Sequence, residues 1–138
     1  MSLPPRFSVT RLQVEQVVQQ FYERTRSHPE LGPIFHSHIS DWAEHEGKIA
    51  GFWSNAILHE RSYSGNPMQV HIAAGNVKPE HFEVWLKLFD SVLVELLPPD
   101  VAMQWSALAH RIGRGLSSGL MMHSSGPGGI PNLREVGR

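Results

Sequence analysis

The 138-residue chain contains no cysteine, which excludes disulfide scaffolds, thiolate zinc sites, iron–sulfur clusters and thiol nucleophiles. It also lacks charge of one sign: 12 Lys and Arg stand against 13 Asp and Glu, for a formal charge of −1, so no cationic field exists to hold a polyphosphate or an anionic bilayer. Partnership with nucleic acid or a membrane surface is not expected. No apolar run approaches the roughly 18 residues a spanning helix requires, and the first ten residues, MSLPPRFSVT, do not resemble a signal peptide. A soluble, cytoplasmic protein is expected. Strand signals are absent too, because no segment alternates with period two. Against these absences stand 41% hydrophobic residues, enough for one core in a chain of single-domain length, and nine histidines. Histidine is the most versatile ligand and acid–base side chain, so the question is which of the nine do chemistry.

The apolar period is helical throughout. Thr10 with Gln13 forms a capping box, after which Leu12, Val14, Val17, Val18, Phe21 and Tyr22 keep helical spacing until His28-Pro29. Gly32 and Pro33 predict a short connection. A second box, Asp41 with Glu44, opens a helix whose stripe carries His45, Ile49, Phe52, Trp53 and Ala56. RSYSGNP at 61–67 predicts a loop, and Met68 to about Ala74 a short helical piece around His71. Pro79 starts the clearest helix, with Phe82, Trp85, Leu86, Phe89, Leu93 and Leu96 on one face. Pro98-Pro99 ends it, Asp100 is expected to cap the next, and Val101, Trp105, Leu108, Ile112 and Leu116 continue the period. From Ser117 the Gly, Ser and Pro content predicts a flexible tail. The expected organisation is an all-α domain of four main helices and one short one over residues 8–116, followed by a tail at 117–138.

Common site types fail on spacing. His59-Glu60 begins a zinc-protease pattern, but Tyr63 stands where the second imidazole must fall. No Glu has a His three residues later, as a four-helix di-iron site requires. No nucleophile elbow, phosphate loop or dinucleotide fingerprint is present. There remain His45 on an apolar stripe, His71 in the next segment, and many aromatic side chains around them. That combination suits a flat apolar cofactor. Haem takes one neutral imidazole as axial ligand, a greasy slot, and a polar group beside the open iron position.

The runs Phe21-Tyr22, Leu31-x-Pro33-Ile34-Phe35, His45-x-x-Lys48-Ile49-x-x-Phe52-Trp53, Tyr63-Ser64-Gly65-Asn66-Pro67-Met68-Gln69-Val70-His71 and Phe82-x-x-Trp85-Leu86, in this order, resemble a group III truncated haemoglobin over residues 10–116. The resemblance implies a shortened globin, a two-over-two helical sandwich around haem b. It implies that His71 is the iron ligand, that Tyr22, His45 and Trp85 face bound ligand, and that Phe35, Ile49, Phe52 and Phe82 line the haem pocket. His45 either contacts ligand or swings outward as a gate. Lys48, one turn from His45, is a candidate for a haem propionate. The other seven histidines are expected to be structural or solvated.

Three readings follow. The first is a haem b protein that binds oxygen, or nitric oxide or carbon monoxide, at a five-coordinate iron. The second is a haem enzyme of peroxidase-like or nitric-oxide-detoxifying activity; with no flavin or nicotinamide motif in the chain, turnover would require a separate reductase. The third drops haem and leaves a histidine-rich helical bundle whose histidines bind a transition metal or simply fill the core.

Overall fold

The computed structural model describes residues 4–60 and 78–125, with side chains to Met122. All five elements among them are helices: α1 (Arg11–Arg26), α2 (Leu31–His36), α3 (Trp42–Leu58), α4 (Pro79–Leu96) and α5 (Pro99–Ser125). The helix starts follow local chemistry. Gln13 N–H donates to Thr10 Oγ1 at 3.1 Å while Thr10 N–H donates to Gln13 Oε1 at 2.9 Å, which satisfies two end groups of α1 reciprocally. Asp41 Oδ1 accepts from Glu44 N–H at 3.1 Å at the head of α3. Pro79 occupies the first turn of α4, where its missing N–H costs nothing, and His81 Nδ1 accepts from Lys78 N–H at 2.9 Å.

Two helix pairs build the molecule. α4 and α5, joined by the two-residue connection Leu97-Pro98, form one layer; α1 and α3 form the other, and α1 also packs on α4. The core between them is aromatic. Trp53 and Trp105 are fully enclosed with Phe21 and Phe89. Phe89 stacks on Trp53 at 5.4 Å and 16°, and on Trp85 at 5.2 Å and 4°, while Phe21 meets it edge-on at 5.3 Å. One ring of α4 thus joins α1, α3 and its own neighbour. Truncating an enclosed ring of this kind costs about 3–5 kcal/mol.

The last turn of α1 is tied down on both sides. Arg24 pairs with Glu95 of α4 at 2.6 Å, and Arg26 with Glu46 of α3 at 3.1 Å. Both cations also suit the negative end of the α1 dipole. This turn directly follows Tyr22, so the clamps fix the residue of interest.

Three expectations change. The connection containing Gly32 and Pro33 includes the short helix α2, with Pro33 in its first turn, where no intrahelical N–H is needed. Gly32 sits against the end of α1: a Cβ there would lie 2.9 Å from the Arg26 carbonyl oxygen, so the breaker is there for close approach. Asp100 lies inside the first turn of α5, one residue after Pro99, and so does not cap it. Finally, α5 runs past Leu116 to Ser125, with Leu120 only 7% exposed. A tail cut at 117 would therefore remove a buried leucine. The short helix expected at Met68 to Ala74, with His71, lies outside the described residues.

Candidate functional site

The chemistry-bearing side chains meet where the end of α1 faces the start of α3. Tyr22, 3% exposed, lies near the end of the buried stripe of α1, and His45 lies one turn into α3. Tyr22 Oη and His45 Nε2 share a hydrogen bond of 3.1 Å. The rings meet edge-on at 4.9 Å, and Phe35 of α2 meets Tyr22 edge-on at 5.7 Å. Thr25 is buried one turn away and satisfies its hydroxyl by donating to the Phe21 carbonyl at 2.8 Å. Tyr22 is thus left as the polar tip of this wall on α1.

Both members of the pair are uncharged near neutral pH. Burial, assisted by the Glu46 carboxylate, holds the Tyr22 hydroxyl well above the ordinary tyrosine value of 10.0. Burial, assisted by the Lys48 ammonium, pushes His45 below the ordinary imidazole value of 6.5. A group whose folded value is depressed contributes stability that is whole above the unfolded value and is lost as pH falls through the folded one. For His45 that loss begins below about 6.5. Lys48→Met deletes the positive charge, so His45 is expected to titrate closer to 6.5, with the larger change at low salt. An NMR titration of the His45 ring measures it, and an unmoved midpoint would show that Lys48 exerts no influence.

Ile49 and Phe52 follow His45 on the same stripe of α3, at helical intervals of four and three. They belong, with Phe35, Trp42 and Trp85, to a set of large apolar side chains packed on the core yet only half-buried. Trp85 stands behind Phe21, edge-on at 5.5 Å. Phe82, one turn before Trp85, is buried and helps to line a cavity of about 480 Å³ between α4 and α5, with Leu86, Gly113 and Met121. Lys48 is exposed.

The structure therefore brings Tyr22, His45 and Phe35 into contact, links Trp85 to them through Phe21, and aligns Ile49 and Phe52 beside them. Sequence reasoning missed Trp42, whose ring lies 6.2 Å from that of Tyr22, although its place directly after the Asp41 cap marked it as the first residue of α3. Several other histidines have structural tasks. His28 Nδ1 accepts from the N–H groups of Glu30 and Leu31, His110 pairs with Asp90 at 2.7 Å, and His59 ends α3 in the left-handed region at φ 62°. Among the described residues no group of three or more His, Asp or Glu is arranged to hold a metal ion. No helix among them is long and apolar enough to cross a membrane.

A half-buried apolar wall with two neutral polar tips fits a flat, apolar macrocycle: it offers contact area and places no fixed charge against the ring. Comparisons with known proteins agree with that fit. A family model described as bacterial-like globin matches residues 10–106. The group 3 truncated hemoglobin ctb of Campylobacter jejuni is 36% identical over 90 residues, which span 62% of this chain and 71% of that protein. The crystal structure of the group III truncated hemoglobin from Campylobacter jejuni superposes with a TM-score of 0.78 at 29% identity, covering 86% of this chain and 95% of that one.

Proposed function

Because the chain belongs to the bacterial-like globin family, as a group III truncated haemoglobin and so a haem-binding globin that takes a diatomic ligand, we propose that it holds oxygen in a hydrogen-bonding distal pocket built by Tyr22, His45 and Trp85. The cofactor in this reading is haem b, gripped by His71 and walled by Phe35, Ile49, Phe52 and Phe82, with Lys48 directed to a propionate. Haem, when bound, would supply an iron able to take up a diatomic ligand. The chain's own residues decide what happens to that ligand.

The Tyr22–His45 hydrogen bond carries the proposal. A neutral imidazole protonated on Nδ1 accepts the tyrosine proton at Nε2; protonated on Nε2, it donates to the hydroxyl and frees the O–H to point elsewhere. With the imidazole protonated on Nε2, the pair can therefore turn the Tyr22 O–H towards a ligand that carries negative charge on its outer atom. Its raised value keeps Tyr22 protonated, and hence a donor, across the physiological range. The Trp85 indole, half-buried and stacked on Phe89, adds a donor-only N–H on a rigid support. Strong retention suits oxygen holding or local chemistry better than transport.

An absorbance spectrum of the purified protein, oxidised, reduced and with carbon monoxide, tests the assignment. A Soret band that shifts on reduction and again on adding the gas is expected, with one haem per chain. A colourless protein that fails to take up added haem would overturn it.

A further inference from the structure

Tyr22 and His45 are one of two cross-links between the same pair of helices. From α1 come Tyr22 and Arg26, four residues apart and so on one face; from α3 come Trp42, His45 and Glu46, whose spacings of three and four also place Trp42 beside both. Tyr22 meets His45 at 3.1 Å, and one turn outward Arg26 meets Glu46 at 3.1 Å. Trp42 bridges the two. The Arg26 guanidinium carbon lies 5.0 Å from the centre of its ring, and Tyr22 packs on the same indole at 6.2 Å. His36 of α2 meets it edge-on at 5.1 Å from the remaining side.

We propose that Arg26, Glu46 and Trp42 form a latch between α1 and α3 that holds the Tyr22–His45 pair closed on its outer side. They are positioning residues, acting on ligand through the pair. The inference rests on the reading of Tyr22 and His45 as the ligand's hydrogen-bonding partners.

The ion pair is only partly exposed, its side chains 34% and 20% accessible, so it is screened less than a surface pair. A cation at once paired with Glu46 and placed over the Trp42 ring restrains the indole from two directions. The Glu46 carboxylate also acts electrostatically on Tyr22, which adds to the burial that keeps the hydroxyl protonated. Breaking the ion pair frees Trp42 to leave Tyr22, opens the outer side of the pocket, and loosens the bond to His45.

The test uses Arg26→Met, Glu46→Gln, their double variant and Arg26→Lys, all in the full-length chain. Carbon monoxide association after flash photolysis is expected to quicken about fivefold in each of the first two, the population shift that loss of one partly buried ion pair produces. The double variant should go no further, because both changes break one interaction. Arg26→Lys keeps the charge pair and should stay near the parent. The parent's own rate should rise with salt as the screening length shrinks from about 30 Å at 0.01 M to about 3 Å at 1 M, while that of Arg26→Met stays flat. A general loosening of the fold would not produce that contrast. The imidazole 15N shift of His45, which requires no gas, should move in Arg26→Met and Glu46→Gln and hold in Arg26→Lys. Parental association, a parental His45 shift, or effects that add in the double variant would overturn the latch. Failure of the underlying reading looks different: oxygen release would be unchanged on removing the Tyr22 hydroxyl, with the latch variants still shifting His45. Should Arg26→Met fail to fold, Glu46→Gln carries the same comparison.

Discussion

Replacing Tyr22 by phenylalanine is expected to speed oxygen release about 10- to 150-fold at 25 °C, the consequence of losing roughly 1.5–3 kcal/mol of a hydrogen bond to a charged acceptor. Phe retains the ring and its edge contacts with Phe35 and His45, so packing is nearly preserved and the change isolates the hydroxyl. Carbon monoxide carries little charge on its outer atom, and its release should change much less. That contrast separates bonding from access, because a widened pocket would affect both gases alike. If Trp85 donates to the same ligand, Trp85→Phe will couple with Tyr22→Phe, and a double-mutant cycle in stopped-flow oxygen release will show losses that do not add. Unchanged release in Tyr22→Phe would remove Tyr22 from the pocket's chemistry.

His71→Ala is expected to abolish stable cofactor binding, leaving haem content below about a tenth of the parent's, since one imidazole forms the permanent protein bond to the iron. Tyr22→Phe and Trp85→Phe should keep full haem by the same reasoning. Haem stoichiometry from extinction and protein concentration measures all three. An alanine variant that kept haem with an unchanged ferrous spectrum would transfer the role to another of the nine histidines.

The helix starts were legible wherever the chain writes its own stop and start signals, as at Thr10, Asp41 and Pro79. The misreadings share a cause. At Gly32-Pro33 two breaker residues signal a break, yet proline is harmless in a first turn and the glycine is required by the Arg26 carbonyl against it. Beyond Ser117, composition predicted a break while Ile112, Leu116 and Leu120 kept the helical period, and the period won because Leu120 finds a place to be buried. The site was legible only in its parts. Tyr22 and His45 are 23 residues apart, and nothing in their local spacing says that their polar atoms touch; the family pattern placed them together, and the packing of α1 on α3 gives them contact. Arg26 with Glu46 left no trace, because an ion pair between two helices has no sequence period.

The ring cluster behind the pocket also makes the protein its own optical reporter. All four tryptophans belong to one connected network: Trp53, Trp85 and Trp105 through Phe89, and Trp42 through Tyr22 and Phe21. Three emitters are gathered around one phenylalanine, with the fourth joined through Tyr22, so a strongly absorbing pigment held against this wall would drain the emission of them all. Indole fluorescence then rises as pigment is lost and reads occupancy directly. Trp42 and Trp85, the two half-buried indoles, supply the component that a solute quencher in bulk water reaches first, because Trp53 and Trp105 are fully enclosed.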